Sequence, residues 1–144
     1  MRNAQLDAAL HVSQALTSSI DPLTPAGYVA LRRKASGLTI DRAAERIAPR
    51  ERDRVAARAM IRLLETRGVV ARKRSLVSKL ALAIPLDPAV YFQLATTPPS
   101  RHPRICRACG CSTYDPCHRG GDHLCRILPG EPPLCTVHTD GEWF

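Results

Sequence analysis

The chain has 144 residues, a formal net charge of +8 and an aromatic content of 4%. This length predicts one domain, or one small domain with a metal-stabilised module, and the few aromatic residues argue against a stacking platform for single-stranded nucleic acid. No stretch approaches the roughly 18 apolar residues of a membrane helix, and polar residues interrupt the start of the chain where a signal peptide would be apolar. We therefore expect a cytoplasmic protein that does not enter a membrane.

The positive charge is concentrated in the middle of the chain. From Arg32 to Lys79 there are 15 Lys/Arg and 5 Asp/Glu residues, whereas the stretch from Arg101 to Phe144 has 5 of each. Such an excess favours a polyanionic partner, with nucleic acid first, although basic surfaces can also serve solubility alone.

Up to about residue 95 the apolar residues recur at helical spacing. A first helix is predicted over about 3–19. Thr24 and Pro25 then predict the next helix start, as N-cap and first helical residue, and Gly37 suits the left-handed position after that helix ends. The side chains expected to face inward from this helix are Tyr28, Leu31 and Ala35.

Three or four further helices follow. Thr39 can cap a short helix that Ala48-Pro49 closes, and the longest segment runs from about 50 to 67 before Gly68 ends it. Its predicted inward face consists of Val55, Ala56, Ala59, Met60, Leu63 and Leu64. Another helix is expected over about 75–83, and Asp87-Pro88 starts a last one. No stretch alternates with the period of a strand, so the fold class is mainly α.

Two runs of this region resemble helix-turn-helix proteins of the lambda-repressor/Cro (Xre) type over about residues 25–95. The run LRRKASGLT (31–39) with AAER (43–46) is similar to the first helix and turn of that family, and the segments 75–83 and 86–95 are similar to its closing helices. The resemblance implies a five- to six-helix fold and DNA binding. It also implies a homodimer, formed through the N-terminal helix. The interval from Ile47 to Gly68 is longer than the family's tight turn and short recognition helix, so no base-reading position is carried over.

The longest predicted helix has four arginines spaced four residues apart. They form a row that drifts around the helix axis, and guanidinium groups suit phosphates and guanine edges. Three basic residues beyond Gly68 extend this candidate nucleic-acid surface. Its members are Arg50, Arg54, Arg58, Arg62, Arg72, Lys73 and Arg74. The alternative is a solvated arginine face, partly neutralised by nearby acidic residues.

The Pro-rich stretch 96–105 resists any regular element and is interpreted as a linker between a helical domain (1–95) and a loop-rich module (106–144). All six cysteines lie in this module, which has too few apolar residues to build a conventional core. In a reducing cytosol such a cluster favours metal over disulfides.

Two chelating pairs enclose the cluster. Cys106-x2-Cys109 and Cys135-x2-His138 can each direct two ligands at one ion, and Gly110 gives the backbone freedom that a zinc knuckle needs. Four protein ligands fill a tetrahedral Zn²⁺ completely, so this site is expected to be structural rather than hydrolytic.

Three cysteines remain, namely Cys111, Cys117 and Cys125. Together with His118 or His123 they would complete a second zinc site, giving one or two ions in all. The alternative is an iron–sulfur cluster held by three or four of the cysteines. The spacing from Cys106 to His138 also resembles a Cys-rich segment of small phage and prophage proteins, with His138 in place of a final cysteine. That resemblance implies a metal-binding module of mobile-element type.

No motif of a zinc deaminase, zinc protease, phosphate-binding loop or serine hydrolase occurs, so we do not expect an enzyme. The acidic residues of the module, among them Asp115, are expected to solvate loops. The sequence as a whole predicts a sequence-specific DNA-binding transcriptional regulator of phage or mobile-element type with a structural zinc module. The alternative is an adaptor or inhibitor of a host polymerase or defence complex that uses the zinc module as its contact surface.

Overall fold

The computed structural model describes residues 21–117 and 124–139, and its first part is built from five α-helices. The helices are α1 (Pro25–Ala35), α2 (Ile40–Ile47), α3 (Glu51–Leu64), α4 (Arg74–Ala81) and α5 (Pro88–Thr96). Within the described ranges there is no β-strand, so the mainly α class is confirmed for them. The helix predicted over 3–19 lies outside the described residues. None of the described helices is both long and apolar enough to cross a bilayer.

The predicted helix starts are confirmed where a capping side chain marks them. The Thr24 hydroxyl accepts from the Gly27 N–H (3.0 Å) and the Asp87 carboxylate from the Ala89 N–H (2.8 Å). Thr39 caps α2 in the same way. These bonds satisfy backbone donors that the first turn of a helix leaves free. The starts of α3 and α4 have no such side-chain bond, and α3 ends at Leu64, earlier than predicted.

The helices enclose one apolar core. Two tyrosines lie in it with their hydroxyls paired: Tyr28 Oη accepts from the Asp87 N–H (3.0 Å), and Tyr91 Oη accepts from the Ala71 N–H (2.9 Å). Because a buried polar group without a partner is costly, these bonds allow large aromatic side chains at the centre. The other large side chains that are fully buried in this core are Val29, Ile61, Leu64, Val77, Leu80, Ile84 and Val90.

Four residues of the predicted inward face of α3 are exposed, namely Val55, Ala56, Ala59 and Leu63. The prediction is confirmed for Leu64, which is buried, and for Met60, which is half-buried against the core. Val55 and Leu63 are 67% and 57% exposed, and the residues of α3 that are buried are Ala57, Ile61 and Leu64. Both sets recur at helical spacing, so periodicity alone cannot choose between them. The buried residues of α2 are the alanines Ala43 and Ala44, and α2 makes its most extensive helix contact with α3, so packing between the two helices accounts for the face that is buried.

The stretch predicted as a linker is packed against the helices. It contains one turn of 3₁₀-helix at Pro99–Arg101, and the Gln93 amide donates to the Arg101 carbonyl (2.9 Å). The His102 ring bonds to the Thr97 carbonyl (2.9 Å). Its last residue, Ile105, is buried in the helical core. The segment therefore leads directly from α5 into the cysteine module, which we define as residues 105–139.

Candidate metal centre

A tight turn opens the cysteine module. The Cys106 N–H donates to the Cys111 carbonyl (2.8 Å), and the Gly110 N–H donates to the Cys106 carbonyl (2.8 Å). Gly110 has a φ of 77°, so the conformational freedom predicted for this glycine is used. The turn brings the sulfurs of Cys106, Cys109 and Cys111 to one side of the backbone, facing Cys135.

All six cysteines are free thiols, and all except the half-buried Cys117 are buried. Their sulfurs form a single cluster that His138 joins from one side. The Sγ atoms of Cys109 and Cys135 are 3.9 Å apart, those of Cys117 and Cys135 are 3.8 Å apart, and His138 Nδ1 lies 3.1 Å from Cys135 Sγ. A tetrahedral ion with metal–sulfur bonds of about 2.3 Å separates its sulfurs by about 3.8 Å. The cluster therefore has the dimensions of a metal site.

Three overlapping sets of four donor atoms lie within 4.8 Å of one another and could each hold a metal ion. The sets are Cys106, Cys109, Cys111 and Cys135; Cys109, Cys117, Cys135 and His138; and Cys111, Cys117, Cys125 and Cys135. Each set could supply four thiolate or imidazole ligands to one tetrahedral ion, and these are the donors that soft and borderline metals prefer.

The thiols perturb one another strongly. Side-chain hydrogen bonds from Cys109 and Cys111 lower the pKa of the Cys106 thiol, and side-chain bonding to Cys106 raises the pKa of both donors. Burial raises the pKa of Cys117. Neighbouring thiols thus resist ionising together, because each new charge lies against another in a medium of low polarity. A bound cation removes this conflict, since metal-bound thiols are deprotonated.

The predicted ligands come together, but in a different grouping. Cys106 and His138, placed at one ion by their two chelating motifs, fall in different sets that share Cys109 and Cys135. Cys111 and Cys117, assigned to a second ion, are interleaved with the first group. His118 and His123 lie outside the described residues. The spacing Cys109-x-Cys111 is the feature of the sequence that indicates a third thiol beside the first pair.

One side chain of α1 holds the centre against the helices. Arg32 is only 7% exposed, and its guanidinium donates to the Cys109 carbonyl (3.2 Å), to Asp115 Oδ2 (2.8 Å) and to the Pro85 carbonyl. The expectation that Asp115 only solvates a loop is therefore wrong. A Cβ at Gly110 would lie 2.6 Å from Arg32 Cδ, so the cysteine turn and α1 are in close contact at this glycine.

The predicted nucleic-acid residues are divided between internal contacts and solvent. Arg54 donates to the Pro49 carbonyl (2.9 Å) just beyond the end of α2, and Arg58 pairs with Asp41 (3.1 Å). The Arg74 guanidinium lies over the ring of Phe92, 4.9 Å from its centroid. The remaining predicted residues, all exposed, are Arg50, Arg62, Arg72 and Lys73.

Two arginines outside the predicted set also affect the basic surface. Arg52, which the four-residue spacing did not include, is exposed on α3. Arg33 is buried, where it donates to the Leu38 carbonyl (2.8 Å) and to Glu65 (2.9 Å). Part of the basic excess counted in the sequence therefore belongs to the interior.

No protein-family model, curated protein or solved structure matches this chain.

Proposed function

We propose that the chain is a DNA-binding regulator in which α2 and α3 form a helix-turn-helix unit, with α3 as the recognition helix. The observation that carries this proposal is the connection between them: α2 and α3 are joined by the three residues 48–50 and make the most extensive contact of any helix pair in the described residues. A turn of three or four residues between two closely packed helices is the arrangement that inserts a second helix into the major groove.

The outer face of α3 has the chemistry that base reading needs. Arg52 and Arg62 are exposed there and can offer forked donors to guanine edges or phosphates. Val55 and Leu63 are exposed on the same face and can contact thymine methyl groups.

The other arginines of α3 support the unit from within. Arg54 bonds to carbonyls at the end of α2, and Arg58 ties α3 to Asp41 near the start of α2. Arginine side chains commonly satisfy the free carbonyls at a helix end. Arg50, Arg72 and Lys73 are exposed at helix starts, where phosphate contacts that position a protein on DNA are common.

The metal of this proposal is zinc, in a structural role. A set of four thiolate or imidazole donors leaves no open position for substrate, which is typical of structural zinc. The sulfurs lie at the separations of donors around single ions. In an iron–sulfur cluster the thiolates bind different iron atoms that inorganic sulfide holds apart.

The test compares two pairs of charge reversals. Arg52→Glu with Arg62→Glu changes the outer face of α3, and Arg101→Glu with Arg126→Glu makes the same charge change at exposed positions elsewhere. We expect the first pair to weaken binding to duplex DNA, selected from a random pool by the unaltered chain, by about tenfold or more, and to reduce the salt dependence by about two phosphate contacts. The second pair should bind nearly as the unaltered chain does. Fluorescence anisotropy over a salt series measures both quantities.

A protein-binding adaptor is the second candidate, because the cysteine module exposes Tyr114 (72%) and Leu124 (55%). Exposed aromatic and apolar side chains are enriched at protein interfaces. If this candidate is correct, both pairs of charge reversals should weaken DNA binding equally, since only net charge would attract the DNA. Equal loss in the two pairs would therefore overturn the helix-turn-helix proposal.

A further inference from the structure

Cys135 occupies the centre of the donor cluster. Its Sγ atom lies within 4.8 Å of the donor atoms of all six other members: Cys106, Cys109, Cys111, Cys117, Cys125 and His138. Around one tetrahedral ion each donor has only three neighbouring donors. Cys109, Cys111 and Cys117 each share sets with five other donors. Among the described donors only Cys135 belongs to all three sets, so it is the donor best placed to be a corner of two tetrahedra.

The number of donors leads to the same result. The described cluster offers seven donors, six thiolates and one imidazole, whereas two separate tetrahedral ions need eight. If one sulfur serves both ions, seven donors fill all eight positions. We propose that the centre is binuclear and that the Cys135 thiolate bridges its two metal ions.

The structure also indicates how the other six donors divide. Cys106, Cys109 and Cys111 form one complete set with Cys135, all four of them buried. Cys117, Cys125 and His138 remain for the second ion. Cys125 and His138 each lie within 4.8 Å of both Cys117 and Cys135, so only the separation between these two donors has to adjust around the ion.

Contacts around the sulfurs suit a centre with excess negative charge. Six thiolates and two divalent ions leave a net charge of −2. The Cys135 N–H donates to Cys106 Sγ (3.3 Å), and the Cys117 N–H donates to Cys125 Sγ (3.1 Å). The buried Arg32 guanidinium lies against the Cys109 carbonyl (3.2 Å). These donors and the cation stabilise the net negative charge of the centre.

This inference rests on the proposed zinc occupancy of the centre and is independent of DNA binding. The DNA-binding test depends on the outer face of α3, whereas cadmium NMR detects only the metal ions. Either proposal can therefore fail while the other stands.

The experiment replaces zinc with ¹¹³Cd in the full-length chain under reducing conditions. Cadmium NMR should show two signals of equal intensity, each split by the other, because two nuclei that share a sulfur are coupled through it. Proton–cadmium correlation should connect the Cys135 β-protons to both signals and those of Cys106 to only one. Cadmium:protein stoichiometry should be two.

Two kinds of variant separate this centre from one that uses eight unshared donors. His118→Ala and His123→Ala should each keep both signals and their splitting, because the bridged centre uses neither histidine. Cys125→Ala should weaken or remove one signal and, with it, the splitting of the other. A single bound ion, a third signal or two unsplit signals in the unaltered chain would each overturn the proposal, as would loss of a signal in a histidine variant that keeps its helical circular dichroism. Because the unaltered chain already gives the decisive splitting, the result does not depend on whether a variant folds.

Discussion

Gly110 is constrained twice, by its own backbone and by its neighbour. Its φ of 77° belongs to the left-handed region, and the space beside its Cα is filled by the Arg32 side chain. Arg32 cannot move away cheaply because its guanidinium is bound to the Cys109 and Pro85 carbonyls and to Asp115. Gly37, with a φ of 69°, has the same backbone constraint but open space around it.

A pair of alanine substitutions separates the two constraints. Both Gly37→Ala and Gly110→Ala should lose about 1–2 kcal/mol from the left-handed backbone. Gly110→Ala should lose about 1–3 kcal/mol more, because the new methyl group displaces Arg32. Urea unfolding of the metal-loaded chain measures the difference, and equal losses in the two variants would contradict the role given to Arg32.

The sequence predicts the turn at Gly110 but not the contact of this glycine with Arg32. A glycine beside closely spaced cysteines predicts a knuckle turn, and the structure confirms the conformation it needs. The sequence does not indicate that Arg32 is buried, because its partners are 53, 77 and 83 residues away in the chain. Burial of an arginine depends on such distant acceptors, and no local pattern indicates them.

At the level of elements, Tyr28 connects α1 to α5. Its hydroxyl accepts from the N–H of Asp87, the residue that caps α5. Burial raises the pKa of Tyr28 from 10.0 to about 12. The folded chain therefore keeps the phenol proton at a pH at which the unfolded chain loses it.

The consequence is an alkaline loss of stability. Because the pKa of Tyr28 is higher in the folded state, Tyr28 contributes stability that is fully present below pH 10. This contribution is lost as the pH rises from 10 towards 12. At about pH 11.5 the loss from Tyr28 should be about 2 kcal/mol. At about pH 9 Tyr28→Phe should be less stable than the unaltered chain, because the Asp87 N–H loses its acceptor. Between that pH and about 11.5 its free energy of unfolding should fall by about 2 kcal/mol less than that of the unaltered chain. Urea unfolding at the two pH values gives the comparison, and parallel losses would exclude this role for Tyr28.

Helix boundaries and helix faces differ in how well the sequence predicts them. Thr24, Thr39 and Asp87 were identified as starts because a capping bond is made within three residues. The sequence does not identify the buried face of α3, because the exposed Val55 and Leu63 recur at the same helical period as the residues that pack in the core. The choice between the two faces is made by contact with α2, which is a tertiary effect.

At the level of the whole molecule, the helical core and the cysteine module have different sources of cohesion. The helical core is aliphatic and aromatic, whereas the buried residues of the second cluster are Ala108 and five cysteines. Composition predicted this difference, since the last forty residues lack apolar runs. The contacts across the boundary, through Ile105, Ala35 and Arg32, were not predictable because they join segments far apart in sequence.

Metal removal should therefore affect the two parts unequally. On the proposed zinc occupancy, a strong chelator removes the ions that allow the thiolates to lie together, and we expect amide protection in the cysteine module to be lost. The apolar core does not contain these thiols, so most of the helical circular dichroism should remain. Its melting temperature should still fall by several degrees, because Arg32 loses Cys109 and Asp115 as ordered partners, and about 1 kcal/mol shifts a domain of this size by roughly 4–8 °C.

Adding zinc back should restore both the protection and the melting temperature, which controls for irreversible thiol oxidation during chelation. Complete loss of the helical signal on chelation would show that the helices need the module in order to fold. Unchanged protection in the module would show that its cysteines pack without a metal ion. If the proposed ions neutralise thiolates on the module side while Arg32 connects that side to α1, the module unfolds first and the helices persist with reduced stability.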